Sequence, residues 1–319
     1  MKLPLLLTAR LLLGQADAGY VREKTDDGAH CLRWPVAAGA TSQVTFVQSS
    51  AGDSALGPGF FDAVSRSEAT WAAQANTCAS LGLLEGAHST SRIVGYNSSG
   101  PNENLILART TDCTNTVPSN DPCQAAGTCG NVHDCWEHGA AALAVTTITF
   151  DATGVVLDSD TEINAASAFP TIVDSPPCTG GVVTSTCVGN DVQNTMTHEL
   201  GHALGLGHSP DPSSTMYASA PIGETSKRVL DPASKQFVCD VYLRGLASQD
   251  CSVPDAGTDA GTSGGNNGGS GAVPTGPSAP GIARTASGCS AVTGGGAPIA
   301  VLAGLGLAAL TWRRSHARR

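Results

Sequence analysis

The chain has 319 residues, of which 41% are hydrophobic and only 14% charged, and its formal net charge is -10 at pH 7. The apolar fraction suffices for a buried core and excludes global disorder, while the acidic balance excludes general electrostatic binding to nucleic acid. Eleven cysteines argue against an ordinary reducing cytosol.

The first 18 residues predict an export signal. They are mostly apolar, Lys2 lies near the start, and Ala16-Asp17-Ala18 offers the small-x-small pattern of a signal-peptidase site. Arg10 interrupts the apolar run, so a disordered N-terminus is the alternative. We therefore interpret residues 1–18 as a signal peptide that is removed before folding.

Residues 19–251 are predicted to form one folded domain of two lobes, with the size expected of a single unit. Ten cysteines fall inside it, which predicts up to five disulfides of undetermined connectivity. A zinc site within the cysteine cluster 113–135 is the alternative, disfavoured because no C-x-x-C pair occurs there. Residues 19–288 hold 11 basic and 26 acidic residues, so the exported body is more acidic than the whole chain.

Four stretches have the periodicity of regular structure. Apolar residues at helical spacing predict an amphipathic helix over 62–80, and β-branched runs predict strands over 143–150 and 155–157. A further helix is expected after the N-cap pair Asp231-Pro232.

A short helix is also predicted from Val192, because Asp191 can cap its start. This helix places His198 and His202 one turn apart on the same face, where two imidazoles can reach one zinc ion. Glu199 lies about 100 degrees around the helix. It is too far off that face to be a ligand, but it can reach a zinc-activated water.

The residues after this helix predict the third ligand. Gly205 accepts a positive φ, so the chain can turn sharply and double back to bring His208 to the metal. A catalytic zinc needs three protein ligands and an open position. The alternative is a helix with unrelated surface or core histidines, which is disfavoured because three of the eight histidines occupy ligand spacing.

Residues 198–208 match every fixed position of the metzincin signature, His-Glu-x-x-His-x-x-Gly-x-x-His. Met216 resembles the methionine of the family's Met-turn, and the residues after His208 and Met216 resemble the matrixin branch. The resemblance implies an α+β fold with a twisted mixed β-sheet, an active-site helix and a small irregular C-terminal lobe. It also implies an apolar floor at Met216 and a substrate pocket walled by Tyr217, Ala218 and Pro221.

The implied activity is that of a zinc metalloendopeptidase acting on protein or peptide substrates, with Glu199 as general base. The alternative is a catalytically silent surface binding or structural protein on a metzincin scaffold, which an intact Glu199 argues against. The stretch between Ala18 and Cys31 is too short for a folded prodomain. Cys31 as a zinc ligand in a latent form is an option, but a disulfide is preferred.

Matrixins often bind calcium, and Asp158 and Asp160 are the candidate ligands here. With Glu162 and Asn164 they share one face of a strand, since their spacing is two. A solvated polar face is the favoured alternative. A second zinc near His133 and His138 is less favoured than a plain surface loop.

The C-terminal part predicts a spacer and a tail. Residues 252–288 are rich in Gly, Ser and Pro, and their apolar residues do not recur at the spacing of a helix or a strand. This composition indicates a flexible linker. Residues 289–319 combine Cys289, an uncharged apolar run at 294–312 and an arginine cluster, an order that resembles the sorting tails of myxobacterial surface proteins.

That resemblance implies processing near Cys289 by tail-processing machinery of the cell envelope, and contact with the membrane through the C-terminal segment. A plain membrane anchor is the alternative. The expected location is the cell surface or outer envelope, with release to the extracellular space as a further option.

Overall fold

The computed structural model describes residues 19–51, 56–251 and 282–292. In chain order the strands are β1 (Ser42–Gln48), β2 (Leu81–Glu85), β3 (Asn104–Arg109), β4 (Ala144–Asp151), β5 (Val156–Asn164), β6 (Pro170–Thr171), β7 (Asn190–Asp191), β8 (Ser219–Pro221), β9 (Ile282–Ser287) and β10 (Ser290–Val292). The helices are α1 (Pro58–Cys78), α2 (Cys113–Thr116), α3 (Pro122–Ala126), α4 (Cys129–His133), α5 (Val192–Ala203) and α6 (Pro232–Val241), with a 3-10 turn at Ser226–Arg228.

Six strands form one mixed sheet in the order β2-β1-β3-β5-β4-β9. The first four run parallel, whereas β4 is antiparallel to β5 and β9 is antiparallel to β4. Two short parallel pairs, β6 with β7 and β8 with β10, lie outside this sheet. The predicted α+β fold with a mixed sheet is confirmed.

The helices α1 and α5 pack together over this sheet. Helix α1 starts at Pro58, earlier than the predicted 62, because proline suits a first helical position. Its buried face includes Val64, Trp71 and Ala75 at helical spacing. The indole of Trp71 donates to the carbonyl of Thr197 on α5 over 2.8 Å, which fixes the two helices against each other.

Ten cysteines form five disulfides, as predicted from their even number. The pairs are Cys31–Cys251, Cys78–Cys239, Cys113–Cys135, Cys123–Cys129 and Cys178–Cys187. The first joins residues 220 positions apart and so ties the two ends of the 19–251 domain. All sulfurs of the 113–135 cluster are therefore used, and the alternative of a cysteine zinc site there is wrong.

The predicted flexible linker does not extend to residue 288. Residues 282–287 form strand β9 on the edge of the main sheet, and residues 290–292 of the predicted tail form β10, which pairs with β8. A strand acquires its partner from any distance along the chain, so composition alone missed it. The predicted signal peptide, residues 252–281 and the apolar run at 294–312 lie outside the described residues. Within the described part of the chain, no helix has the length and apolar character needed to cross a membrane.

Candidate metal centre and peptide cleft

Helix α5 carries the first two predicted ligands at the place where the helix meets the sheet. Asp191 caps its start by accepting a hydrogen bond from the backbone of Asn194 over 2.7 Å. His198 and His202 are both fully buried, and their ring centroids lie 4.7 Å apart. The predicted helical spacing therefore brings both imidazoles to one point.

Gly205 produces the predicted turn after α5. Its φ is 104°, and a Cβ at this position would overlap the carbonyl oxygen of Leu32. Only glycine fits both the conformation and the close approach. The chain then doubles back, and the Nε2 of His208 reaches 3.2 Å from that of His202.

The donor set of these histidines fits a zinc ion. The Nδ1 atoms of His198 and His202 lie 2.7 and 2.8 Å from the carbonyl oxygens of Thr215 and Leu206. Because a carbonyl only accepts, each Nδ1 carries the proton, and each neutral ring points the lone pair of its Nε2 inward.

The two inward Nε2 atoms are 3.1 Å apart. Their lone pairs repel each other at this distance, and a cation bound between them would remove that repulsion. Ligands held about 2.0–2.1 Å from a tetrahedral zinc would lie roughly 3.3–3.4 Å apart. The observed spacing therefore matches zinc.

Burial keeps these rings in the form that binds metal. It lowers the pKa of His198 well below its usual value, with further lowering from the charges of His202 and Lys227. Burial likewise lowers the pKa of His202 and of His208 to about 4. All three rings are therefore neutral near pH 7, and a neutral imidazole is the ligand.

Glu199 lies beside the histidines and is held by two groups. Its Oε2 accepts a hydrogen bond from the Thr146 hydroxyl of β4 over 2.8 Å, and its Oε1 accepts one from the backbone N–H of Cys289 over 3.0 Å. Burial raises its pKa to about 7, although these two hydrogen bonds act in the opposite direction. A carboxyl group with such a pKa is suited to both taking and giving a proton near neutral pH.

Met216 packs against helix α5, and its role as the floor under the histidines stays a prediction. Its side chain is buried, and a Cβ on Gly201 of α5 would overlap its sulfur. The carboxylate of Asp231, which caps α6, also accepts from the backbone of Thr215 over 2.9 Å. The start of α6 therefore fixes the turn that also orients His198.

The segment predicted to wall the substrate pocket forms β8, over Ser219–Pro221, with Ala218 just before it. Lys227, from the 3-10 turn, reaches in behind it. Its Nζ lies 2.7 Å from the carbonyl oxygen of Ser219 and 3.9 Å from the Cys289 sulfur, and the residue is only 1% exposed. A buried cation at the base of this pocket was not predicted from the sequence.

Residues 282–292 run through the cleft between β4 and β8. Strand β9 pairs antiparallel with β4. Beyond it, the N–H of Leu143 donates to the carbonyl oxygen of Cys289 over 2.7 Å, and the N–H of Ser290 donates to the carbonyl oxygen of Ala218 over 2.9 Å. The side chain of Cys289 is fully buried against Leu143 and Ala220. The cleft thus holds an extended peptide, with the predicted processing residue at its centre.

The polar row on β5 is buried, so the favoured expectation of a solvated face is wrong. Asp158 and Asp160 are at most 2% exposed and hydrogen-bond each other, while Asp160 also accepts from the backbone of Leu105 over 2.8 Å. Further along, Glu162 pairs with Arg109 over 2.6 Å. Neighbouring protein groups cover this face instead of water. Calcium at Asp158 and Asp160 stays a prediction.

The loop near His133 offers a second group of polar side chains. Asp121, Cys123 and His133 lie close together, and His133 is 3.0 Å from the Asp121 carboxylate. Because Cys123 is bonded to Cys129, it has no thiolate for a metal. The expectation of a plain loop instead of a second zinc site near His133 and His138 stays a prediction.

Two residues of the site escaped the sequence analysis: Thr146 and Lys227. Thr146 lies within the predicted strand 143–150, and only the packing of α5 on β4 shows which hydroxyl faces Glu199. Lys227 follows the pocket segment by several residues, so its inward direction depends on the turn. No local pattern signals either role, because each depends on contact between distant segments.

Comparison with protein families gives one match. Residues 131–243 match the family model described as Peptidase_M10, Matrixin. The matched region includes β4, α5, the three histidines, Met216 and α6. A comparison with curated proteins finds no match. Together with the histidine cluster, this partial match supports a matrixin-like zinc metalloprotease.

Proposed function

We propose that this chain is a zinc-dependent endopeptidase that hydrolyses peptide bonds in proteins. One observation carries the proposal. Three imidazoles converge their Nε2 atoms beside Glu199, in a cleft that holds an extended peptide backbone. A purely structural zinc site would need neither the carboxylate nor the cleft.

The residues divide the chemistry between them. His198, His202 and His208 would hold a zinc ion, which would supply Lewis-acid polarisation of the scissile carbonyl and of a water molecule. Glu199 takes a proton from the attacking water and hands it to the leaving nitrogen, which lies 3.0 Å from its Oε1 in the peptide bound here. Thr146 holds the other oxygen, so the carboxylate keeps one orientation throughout.

Backbone hydrogen bonds position the substrate on both sides. Strand β4, which is the edge of the sheet when β9 is absent, would bind the peptide antiparallel together with the residues before it, and β8 would bind it parallel, as strand addition to a sheet edge. The side chain that follows the scissile bond enters the pocket of Leu143, Ala220 and Lys227. This supports Tyr217 to Pro221 as the pocket wall, with Lys227 added at its base.

Export and tethering are part of the same proposal. The apolar residues 1–18 support export, and five disulfides support an oxidising compartment outside the cytosol. The resemblance of residues 289–319 to a sorting tail supports attachment at the cell surface for as long as this segment stays joined to the domain, with the membrane and tail-processing machinery as partners.

Zinc content and casein digestion by the full chain test the activity. We expect about one zinc per chain, lost in His202→Ala and kept in the control His133→Ala, whose ring lies outside the cluster. Glu199→Ala should keep its zinc and lose digestion. Proteolysis by Glu199→Ala at the wild-type rate would exclude this mechanism. Full zinc occupancy without digestion would favour the silent binding protein, provided that Gly288→Ala is also inactive, since its added Cβ would overlap the Ala144 carbonyl oxygen and displace residues 282–292 from the cleft.

A further inference from the structure

The peptide in the cleft is held along its whole length as a substrate would be. Strand β9 pairs with β4 from Ile282↔Asp151 to Ser287↔Thr146, and β10 pairs with β8 from Ser290 onward. The segment lies between two backbone edges, antiparallel to one and parallel to the other. Ser287 adds a side-chain contact, since its hydroxyl donates to Glu23 over 2.8 Å.

The peptide bond between Gly288 and Cys289 lies at the reacting centre. The amide nitrogen of Cys289 is 3.0 Å from Oε1 of Glu199, the oxygen that would deliver a proton to a leaving amine. On the other side, His208 hydrogen-bonds the backbone of Gly288, whose acceptor is its carbonyl oxygen. The nitrogen thus faces Glu199, and the carbonyl oxygen contacts His208, one of the three clustered histidines.

The two residues of this bond fit their positions closely. A Cβ on Gly288 would overlap the carbonyl oxygen of Ala144, so no other residue can follow the same path. The Cys289 side chain fills the pocket of Leu143 and Ala220, and its sulfur lies 3.9 Å from Nζ of Lys227. The register is therefore fixed on both sides of the bond.

The connection permits this contact within one chain. Residues 252–281 separate the domain from β9, and 30 residues can span up to about 100 Å when extended. A domain of this size is roughly 45 Å across. The extended length of residues 252–281 therefore exceeds the width of the domain that they would have to cross.

We propose that the Gly288–Cys289 bond is a substrate of the chain's own active site, and that the uncut segment excludes other substrates from the cleft. This inference rests on the proposed endopeptidase function. A water oxygen bonds to the Gly288 carbonyl carbon, the carbon–nitrogen bond breaks, and Glu199 transfers one proton of the water to the Cys289 nitrogen, while the second proton leaves the new carboxyl group for the solvent. The products are a carboxylate on Gly288 and an amine on Cys289, which begins the released segment Cys289–Arg319.

Mass spectrometry of the purified, zinc-loaded full chain tests the cleavage. We expect the wild type to release Cys289–Arg319 at a first-order rate independent of protein concentration, and Glu199→Gln to stay intact. Gly288→Ala should also stay intact, because the clash with Ala144 displaces the bond, and it should digest casein faster than the uncut wild type. The control Gly82→Ala has room for its Cβ on β2, away from the cleft, and should cleave as the wild type does.

Thiol labelling in the presence of a chelator gives a readout that needs no turnover. Cys289 is the free cysteine among the eleven and is buried, so a maleimide should react slowly with folded Glu199→Gln. In the double variant Glu199→Gln/Gly288→Ala, labelling should be at least about tenfold faster, since the thiol no longer requires local opening. The corresponding Gly82→Ala double variant should label slowly.

The results separate the two proposals. Casein digestion by the wild type with the 288–289 bond intact, together with fast labelling of Cys289, would overturn self-cleavage and leave the endopeptidase standing. A cut rate that rises in proportion to protein concentration would overturn cleavage within one chain. If no zinc-loaded variant cleaves any peptide, the endopeptidase function fails, and self-cleavage fails with it.

Discussion

Replacing Thr146 by valine tests how Glu199 is held. The Thr146 hydroxyl donates to Oε2 of Glu199 over 2.8 Å and also contacts the Thr161 hydroxyl over 2.9 Å, all in a buried setting. Valine has nearly the same shape but no donor. The variant should therefore keep the fold while removing one of the two hydrogen bonds that favour the ionised carboxylate.

A hydrogen bond to a charged group contributes about 1.5–3 kcal/mol. Its loss raises the pKa of Glu199, and this energy corresponds to about 1–2 pH units. The acid limb of kcat/KM should therefore move to higher pH by that amount in Thr146→Val. At a fixed pH on the acid side of the profile, kcat/KM of Thr146→Val should therefore be roughly ten- to a hundredfold lower than that of the wild type. The assay is hydrolysis of a fluorogenic peptide copied from residues 283–292, measured from pH 5 to 9.

Thr149 provides the matched control on the same strand. It is fully buried, and its hydroxyl has no hydrogen-bond partner among the described residues. Thr149→Val removes an unpaired donor, so stability should stay level or rise, and the pH profile should not move. The role of Thr146 in positioning Glu199 would be refuted if wild type and Thr146→Val had the same dependence of kcat/KM on pH. It would also be refuted if Thr149→Val moved the acid limb of that dependence as far as Thr146→Val does.

Three further predictions concern ligand placement, the pocket and the buried ion network. Gly205→Ala adds about 1–3 kcal/mol of backbone strain and a clash with Leu32, so zinc affinity measured by chelator competition should fall at least tenfold. Lys227→Met removes the cation beside the pocket, so a peptide-library profile should lose any preference for acidic side chains after the scissile bond, and an unchanged profile would contradict this role. Burial raises the pKa of Glu162, but His138 and Arg109 outweigh it and hold the pKa at about 2. The fall from the usual 4.5 corresponds to about 3 kcal/mol of stability, present above pH 4.5 and lost as pH falls towards 2. Urea midpoints of Glu162→Gln should therefore depend less on pH over that range than those of the wild type.

The metal ligands are the part of the site that sequence reasoning places best. His198 and His202 meet because one helical turn separates them, and this relation needs no information beyond the helix itself. His208 follows because Gly205 allows a single local turn. Residues close in sequence fix all these contacts, so their spacing is sufficient to predict them.

The surroundings of Glu199 depend on pairing between distant segments. Thr146 faces it only because α5 packs on β4, and Cys289 reaches it across 90 positions of sequence. The composition of residues 252–288 gave no sign that the last part would add a strand. Likewise, a spacing of two predicted a shared face on β5 but not the protein groups that bury Asp158 and Asp160.

The sequence by itself predicted up to five disulfides, the helix that begins at Val192, and the three histidines and the glutamate of the candidate zinc site, because counting, capping and local spacing suffice for these. The α+β class was implied by the resemblance to the metzincins. Only the tertiary structure decided that the Gly288–Cys289 bond lies against Glu199, and that Lys227 lies beside the neighbouring pocket. The physical reason is that strand pairing and side-chain burial join segments without regard to their separation along the chain, so local sequence cannot specify the partner.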